Sequence, residues 1–353
     1  MHRTSNGAAA GVAKIAVVIP CYKVRQHILG VIEHTLPFCD ALYVVDDNCP
    51  EETGAYVADR CRDPRVRVLR HAENGGVGAA VLTGCKAALA DGCNILVKVD
   101  GDGQMPSEQI PALVKPIVAG YADYVKGNRF FFLSNARAMP RIRRLGNLAL
   151  SFMTKLSTGY WHVMDPTNGF FAIEARVAQL LPHDQISKRF FFESDMLFHL
   201  GLLRARVVDF PMRAVYGDET SNLNIRQVVG PFLAKHLRNT LLRVLYKYFV
   251  RDFSVASLEL LAGIGLFTFG LVFGAVKWLT NASSAVSTET GTIMLAVVPL
   301  LMGFQLLLAV INYDISTTPR EPLHPLLEPA GRGGNDKHNG HETRPQRPEA
   351  GQP

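Results

Sequence analysis

Two segments near the C-terminal end limit what this chain can fold into. Residues 258–279 read LELLAGIGLFTFGLVFGAVKWL and carry charge only near their ends, at Glu259 and Lys277. Residues 292–313 read TIMLAVVPLLMGFQLLLAVINY and carry none. At about 1.5 Å of rise per residue, each is long enough for a hydrocarbon core of about 30 Å. A buried helix pair would have the same composition, but two transmembrane helices fit its length better. The connecting stretch TNASSAVSTETG has no Lys or Arg, whereas the segment before the first span is rich in both. The positive-inside rule then expects the N-terminal domain and both termini in the cytoplasm, with a short loop outside. The sequon at Asn281 falls on that loop, too close to the membrane to matter. The first residues, MHRTSNGAAAGVAK, hold no apolar core of a signal peptide, so none is expected.

The N-terminal part has a different rhythm. Short β-branched runs at 15–19, 42–45, 66–69 and 95–99 alternate with helix-like stretches at 24–36, 52–61 and 77–90. That alternation predicts an α/β domain with a mostly parallel sheet and flanking helices. In such sheets, ligands bind beyond the carboxyl ends of the strands. Pro20 to Tyr22, Asp46-Asp47 and Asp100 to Asp102 each follow a run, so all three are expected on that edge.

Two further segments, 134–160 and 225–251, mix bunched Lys and Arg with Leu, Val, Tyr and Phe. Such amphipathic helices suit a membrane surface, though ordinary packing on the domain would use the same pattern. Net charge is only +6, so nothing beyond these helices speaks for nucleic acid, and none is expected as a partner. All six cysteines lie before residue 94 with no CxxC pair and no accompanying His cluster, which disfavours a zinc site or disulfide framework.

The acids carry the chemistry. Asp100-Gly-Asp-Gly-Gln104 closes an apolar strand with two carboxylates on a turn, an arrangement suited to Mg²⁺ or Mn²⁺. Such an ion would bridge a diphosphate and neutralise a leaving group. A surface turn capped by Asp would look the same. Asp46-Asp47 offers carboxylates to a ribose or base, or caps a turn. Asn74-Gly75-Gly76-Val77-Gly78 precedes a helix and is either a loop closing on a nucleotide or a plain glycine turn. GxGxxG and GxxxxGK[ST] do not occur, which disfavours hydride transfer and P-loop hydrolysis.

The order PCY (20–22), VVDD (44–47), NGGVGAA (74–80), VDGDGQ (99–104), KGNR (126–129), DPTNGF (165–170) and FFFESD (190–195) resembles glycosyltransferase family 2 with a GT-A fold. The two trailing spans narrow the resemblance to the polyprenyl-phosphate glycosyltransferases, across about 15–313. It implies that Pro20, Tyr22, Asp46, Asp47, Gly76, Asp100 and Asp195 bind a nucleotide sugar. It implies that Asp100, Asp102 and Gln104 hold Mg²⁺ or Mn²⁺, and that Arg129, Arg141, Arg144 and Asn147 meet the phosphate of a polyprenyl lipid. Asp102, Asp165, Arg129 and Glu193 are its implied catalytic residues. Lys23 stands where the family often has Asn, and Asn48-Cys49-Pro50 where Gly-Ser is usual, which bears on nucleotide preference. Asn147 replaces a usual Ser.

The implied activity is inverting transfer of a sugar, from UDP rather than GDP, to undecaprenyl phosphate at the cytoplasmic membrane face, for cell-envelope glycan synthesis. Dolichyl-phosphate mannose synthase-type activity with GDP-mannose is one alternative; a non-catalytic scaffold or flippase-assisting protein is another. The Q-x-x-R-W motif typical of processive synthases is absent. The expected layout is a flexible 1–14, a catalytic domain over 15–224 with the basic segment 134–160, an amphipathic helix over 225–256, two spans over 257–313, and a disordered tail over 314–353. Surface helices and spans would support a homo-oligomer.

Overall fold

The computed structural model describes residues 13–132, 141–212, 225–283 and 287–327, with no side-chain placement for 141–145 and 225–228. Its centre is β1 (Ile15–Cys21), where Ala16 to Ile19 are fully buried. A strand covered on both faces reads as a continuous apolar run, as parallel strands do. β2 (Ala41–Asp46) and β4 (Ile95–Lys98) flank it in parallel, and β3 (Val66–Arg70) pairs outside β2. The intervening helices are α1 (Ile28–Thr35), α2 (Thr53–Arg60) and α3 (Val77–Ala90). α3 lies close on the sheet because Gly84 has no side chain: a Cβ there would come within 2.3 Å of Val18 Cγ1.

The seven-stranded sheet runs β3-β2-β1-β4-β6-β5-β7. After α4 (Ile110–Val118) come β5 (Tyr124–Asn128), α5 (Arg141–Thr158), β6 (Phe171–Glu174), α6 (Ala175–Leu180), α7 (Phe192–Leu203) and β7 (Val207–Pro211). β6 is antiparallel to both β4 and β5. An antiparallel strand starts where its parallel neighbours end. The loop before it, Asp165 to Phe170, is therefore delivered to the ligand edge of the sheet. Both Lys98 of β4 and Lys126 of β5 pair with Phe171, which sets the two lysines in one row on either side of that residue.

α8 (Ile225–Leu245) follows, then a π-helix (Tyr246–Arg251), α9 (Val255–Ser283) and α10 (Thr290–Ser316). α9 and α10 are long and apolar enough to cross a bilayer. Only 22% and 11% of their most apolar stretches are buried, so neither is a core helix of the domain. They pack backbone to backbone: a Cβ on Gly303 would sit 2.3 Å from Phe267 N, and one on Gly270 2.6 Å from Leu300 N. Where lipid removes any hydrophobic drive between helices, this close approach supplies the attraction.

The end of α10 is bolted to the domain through Asp314. Its carboxylate accepts from Arg243 (2.8 and 3.1 Å), Lys247 (2.7 Å), Tyr248 (3.2 Å) and Trp161 Nε1 (2.8 Å). The expected disordered tail from 314 is corrected here as far as 327. α10 continues to Ser316, and the chain then folds back onto the domain. Asp123 accepts from Leu323 N (2.7 Å) and His324 N (2.8 Å), and His324 Nδ1 lies 2.8 Å from it. The buried Asp123 carboxylate needs these partners, which is why a polar-looking tail is held. Residues 328–353 lie outside the described residues.

Candidate active site

A cleft of about 500 Å³ opens at the carboxyl edge of the sheet. Among its lining are Pro20, Tyr22, Asp47, Gly76, Asp100 and Asp102, six of the residues expected there, together with Arg189 and Phe190. The convergence comes from topology, since each group follows a different strand.

The acids have distinct surroundings. Asp47 holds the glycine loop: its Oδ1 accepts from Gly75 N (2.8 Å) and its Oδ2 from Gly76 N (2.7 Å), while His71 Nδ1 lies 2.7 Å from Oδ1. Gly76 has φ +93°, and a Cβ there would come within 2.6 Å of the Lys188 carbonyl oxygen. Only glycine suits that position. Asp46 does not reach the cleft. Its two oxygens accept from Cys49 N (2.7 Å) and Gly54 N (2.6 Å), so it builds the loop instead of facing a ligand. Lys23 and Asn48, the two departures from the family pattern, both take left-handed backbone, at φ 57° and 52°. Cys49 ties their loops together, its Sγ accepting from Lys23 N at 3.0 Å.

Asp102 Oδ1 accepts from Gln104 N (3.0 Å). Gln104 thus supports Asp102 through its backbone, and its side chain is not part of the cleft wall. Asp100 Oδ1 is 2.8 Å from Lys98 Nζ, and that same ammonium lies 3.3 Å from Glu193 Oε1. Burial works to lower the Lys98 pKa, but Asp100 and Glu193 outweigh it and leave the pKa raised. Gly169 closes over this pair: a Cβ there would fall 2.2 Å from Lys98 Nζ and 2.6 Å from Asp100 Oδ2. Asp165 is buried and gripped by Arg129, with Nε to Oδ2 at 2.7 Å and Nη2 to Oδ1 at 2.9 Å. Asp195 links two elements, accepting from Ser187 N and Asn239 Nδ2, each at 2.8 Å. Like Asp46, it is outside the cleft lining. Asn147 is half-buried on α5, while the side chains of Arg141 and Arg144 lie outside the described residues.

Among the described residues, Asp100 and Asp102 are the acid pair placed to hold a metal in the cleft. Among the described residues no three His, Cys, Asp or Glu side chains gather as a ligand set. Asp100 and Asp102 still share one cleft wall, and Mg²⁺ is commonly bound by one or two carboxylates with substrate phosphates completing its shell. The donor set fits that use.

Lys98, Lys126, His71 and Arg189 were not singled out from sequence. Lys126 is fully buried in β5 and donates to the Asn168 carbonyl at 2.5 Å. Burial, only partly offset by Glu193 and Asp165, lowers its pKa from 10.5 to about 8. A lysine depressed in the folded state binds fewer protons than the unfolded chain between those values, so its contribution to stability rises with pH across that window. Relative to Lys126→Met, the native chain should gain about 2 kcal/mol between pH 8 and pH 10. Urea unfolding of both proteins at the two pH values tests this, and parallel pH dependences would refute it.

The chain matches the family model described as glycosyl transferase family 2 over residues 16–181. It is similar to the undecaprenyl-phosphate mannosyltransferase of Micrococcus luteus, 31% identical over 57% of this chain and 84% of that protein. The polyprenol monophosphomannose synthase of Mycolicibacterium smegmatis is 30% identical over 60% of this chain and 83% of that one. The UDP-N-acetylglucosamine–dolichyl-phosphate N-acetylglucosaminyltransferase of Methanococcus voltae is 26% identical over 61% and 91%. Among solved structures, glucosyl-3-phosphoglycerate synthase from Mycobacterium tuberculosis with Mg²⁺ and uridine-diphosphate aligns at a TM-score of 0.49 and 20% identity, over 67% of this chain and 81% of that one. With the motif residues gathered at one sheet edge and relatives matched over most of their length, the chain belongs to glycosyl transferase family 2.

Proposed function

We propose that this protein transfers a sugar from a nucleotide sugar to a polyprenyl phosphate at a membrane surface, with inversion at the anomeric carbon. The observation that carries the reading is the acidic cleft of Asp100 and Asp102 in a chain whose last two long helices match a bilayer in length. The names of the relatives, which act on undecaprenyl, polyprenol or dolichyl phosphates, support the acceptor class.

Tyr22 and the loop that Asp47 holds would receive the nucleoside, and Arg189 would add positive charge for the diphosphate. Asp100 and Asp102 would hold Mg²⁺ or Mn²⁺, which when bound supplies charge neutralisation for the departing diphosphate. A lipid monophosphate with a second pKa near 6 is largely dianionic at pH 7, so it attacks without a strong base. One acceptor oxygen bonds to the anomeric carbon as that carbon's bond to the diphosphate oxygen breaks. Asp165 has both oxygens on Arg129, which suits aiming that guanidinium at phosphate more than removing a proton. α8 carries exposed Val229, Leu233, Leu237, Leu241 and Leu245 at four-residue spacing, and Leu148 and Phe152 are exposed on α5. These faces would rest on the bilayer and bring the cleft to the acceptor. Cytoplasmic placement of the domain, a UDP donor and undecaprenyl as the lipid remain part of this proposal.

Membranes containing the protein, given a panel of radiolabelled nucleotide sugars with and without polyprenyl phosphate and Mg²⁺, should place label from one donor in the organic phase only when lipid and metal are present. No lipid-linked label from any donor, with the protein folded, would favour the scaffold reading. Arg144→Ala should raise the acceptor KM roughly tenfold with nucleotide affinity retained, the loss expected for one charge-assisted contact. An unchanged acceptor KM would remove Arg144 from the phosphate site.

A further inference from the structure

A second cavity, of about 200 Å³, lies where the end of α7, the π-helix and the end of α10 meet. Arg204, Arg243, Lys247 and Arg251 line it, facing two carboxylates, Asp252 in the wall and Asp314 beside it. Positive charge is in excess. Arg243 and Lys247 are held by Asp314, whereas among the described residues the one acid paired with Arg204 is Asp252, at 3.9 Å. Arg251 donates to the Leu202 carbonyl and stands over the Tyr246 ring, 5.9 Å from its centroid. Tyr246 and Arg251 bound a π-helix, a rare geometry that recurs at functional sites.

The site is separate from the catalytic cleft. α7 starts beside Glu193 and ends at Leu203. Twelve residues of helix put those ends about 18 Å apart. The surroundings say what kind of anion would come. α9 leaves the domain at Val255 and α10 returns at Ser316, so the cavity stands at the foot of both long helices. Val250, Phe253, Val255 and Leu258 are 73%, 67%, 70% and 55% exposed. A cationic hollow with such an apolar skirt matches a ligand that has phosphate and acyl chain side by side.

We propose that this cavity binds the phosphate headgroup of an anionic membrane lipid, distinct from the acceptor, with Arg204 and Arg251 as its principal donors. The proposal rests on the membrane placement argued above. Bound there, the lipid would join the ends of α9 and α10 to α7 and so brace the domain against the bilayer.

The test uses the full chain in zwitterionic detergent, following its thermal unfolding midpoint while dioctanoyl phosphatidylglycerol, dioctanoyl phosphatidylcholine or inorganic phosphate is added. Phosphatidylglycerol should raise the midpoint, as a ligand of the folded state does, and the other two should not. Arg204→Gln, which removes the long contact with Asp252, should raise the half-maximal phosphatidylglycerol concentration roughly fivefold, the worth of one cation near an anionic headgroup. Arg62→Gln, at an exposed position elsewhere, should not. An unchanged response in Arg204→Gln would overturn the site. An equal effect of phosphatidylcholine would overturn its charge selectivity, and an equal effect of inorganic phosphate would assign it to free anions and overturn the lipid. Sugar transfer and membrane partitioning, measured on the same preparation, report separately on the parent reading. If both persist while the phosphatidylglycerol effect is missing, this inference alone fails.

Discussion

Asp102→Ala should lower sugar transfer on the order of 10²–10³-fold while the protein still fractionates with membranes. Asp102 follows β4 directly into the cleft, and its Oδ1 is oriented by Gln104 N at 3.0 Å. That bond fixes the side chain on the turn before any substrate arrives. With so few acids in the cleft, removing one takes away half of the carboxylate set that would face a metal-bound diphosphate. The loss should fall mainly on kcat, because charge on the leaving group develops fully only in the transition state. Turnover near the native value would remove Asp102 from the metal-holding pair.

Lys98→Met should destabilise the folded protein by about 3–5 kcal/mol, the usual cost of stranding a buried charge by deleting its partner. Lys98 is 2% exposed and bridges Asp100 and Glu193. Without it, the Asp100 and Glu193 carboxylates would face each other with no cation between them. Glu193→Gln in the same protein should recover part of the loss, since one of the stranded charges is then gone. Urea unfolding of both single variants and the double variant isolates the coupling. A single-variant loss under about 1 kcal/mol, or a double variant that loses the sum of both, would show that the triad is not a unit.

Much of the first half of the domain was legible. β1 to β4 announce themselves because they are apolar and β-branched, and the polar residues that follow them mark the ligand edge. The second half was not. β5 reads YVKGN, with a lysine and a glycine inside it, and β6 is only four residues long. Neither has a period that separates strand from loop. Lys98 and Lys126 carry no sequence signal for the same reason: a lysine in a strand ordinarily faces water, and nothing local shows that both flank Phe171 inside the protein. Asp46 and Asp47 are adjacent and equivalent in sequence. Alternation along the chain end turns one into the loop and the other toward Gly75 and Gly76.

The sequence by itself determined the order of chemistry along the chain, the parallel character of the sheet and the two helices long enough for a bilayer. Those follow from composition, period and length, which are local properties. Tertiary structure alone decided that β6 runs backwards, so that Asp165 to Phe170 reach the edge where Asp100 and Asp102 stand. It also decided that Asp314, a lone acid after an apolar run, gathers Arg243, Lys247, Tyr248 and Trp161. These outcomes depend on pairing between distant residues and on the requirement that each buried charge find a partner, which no short stretch of sequence can express.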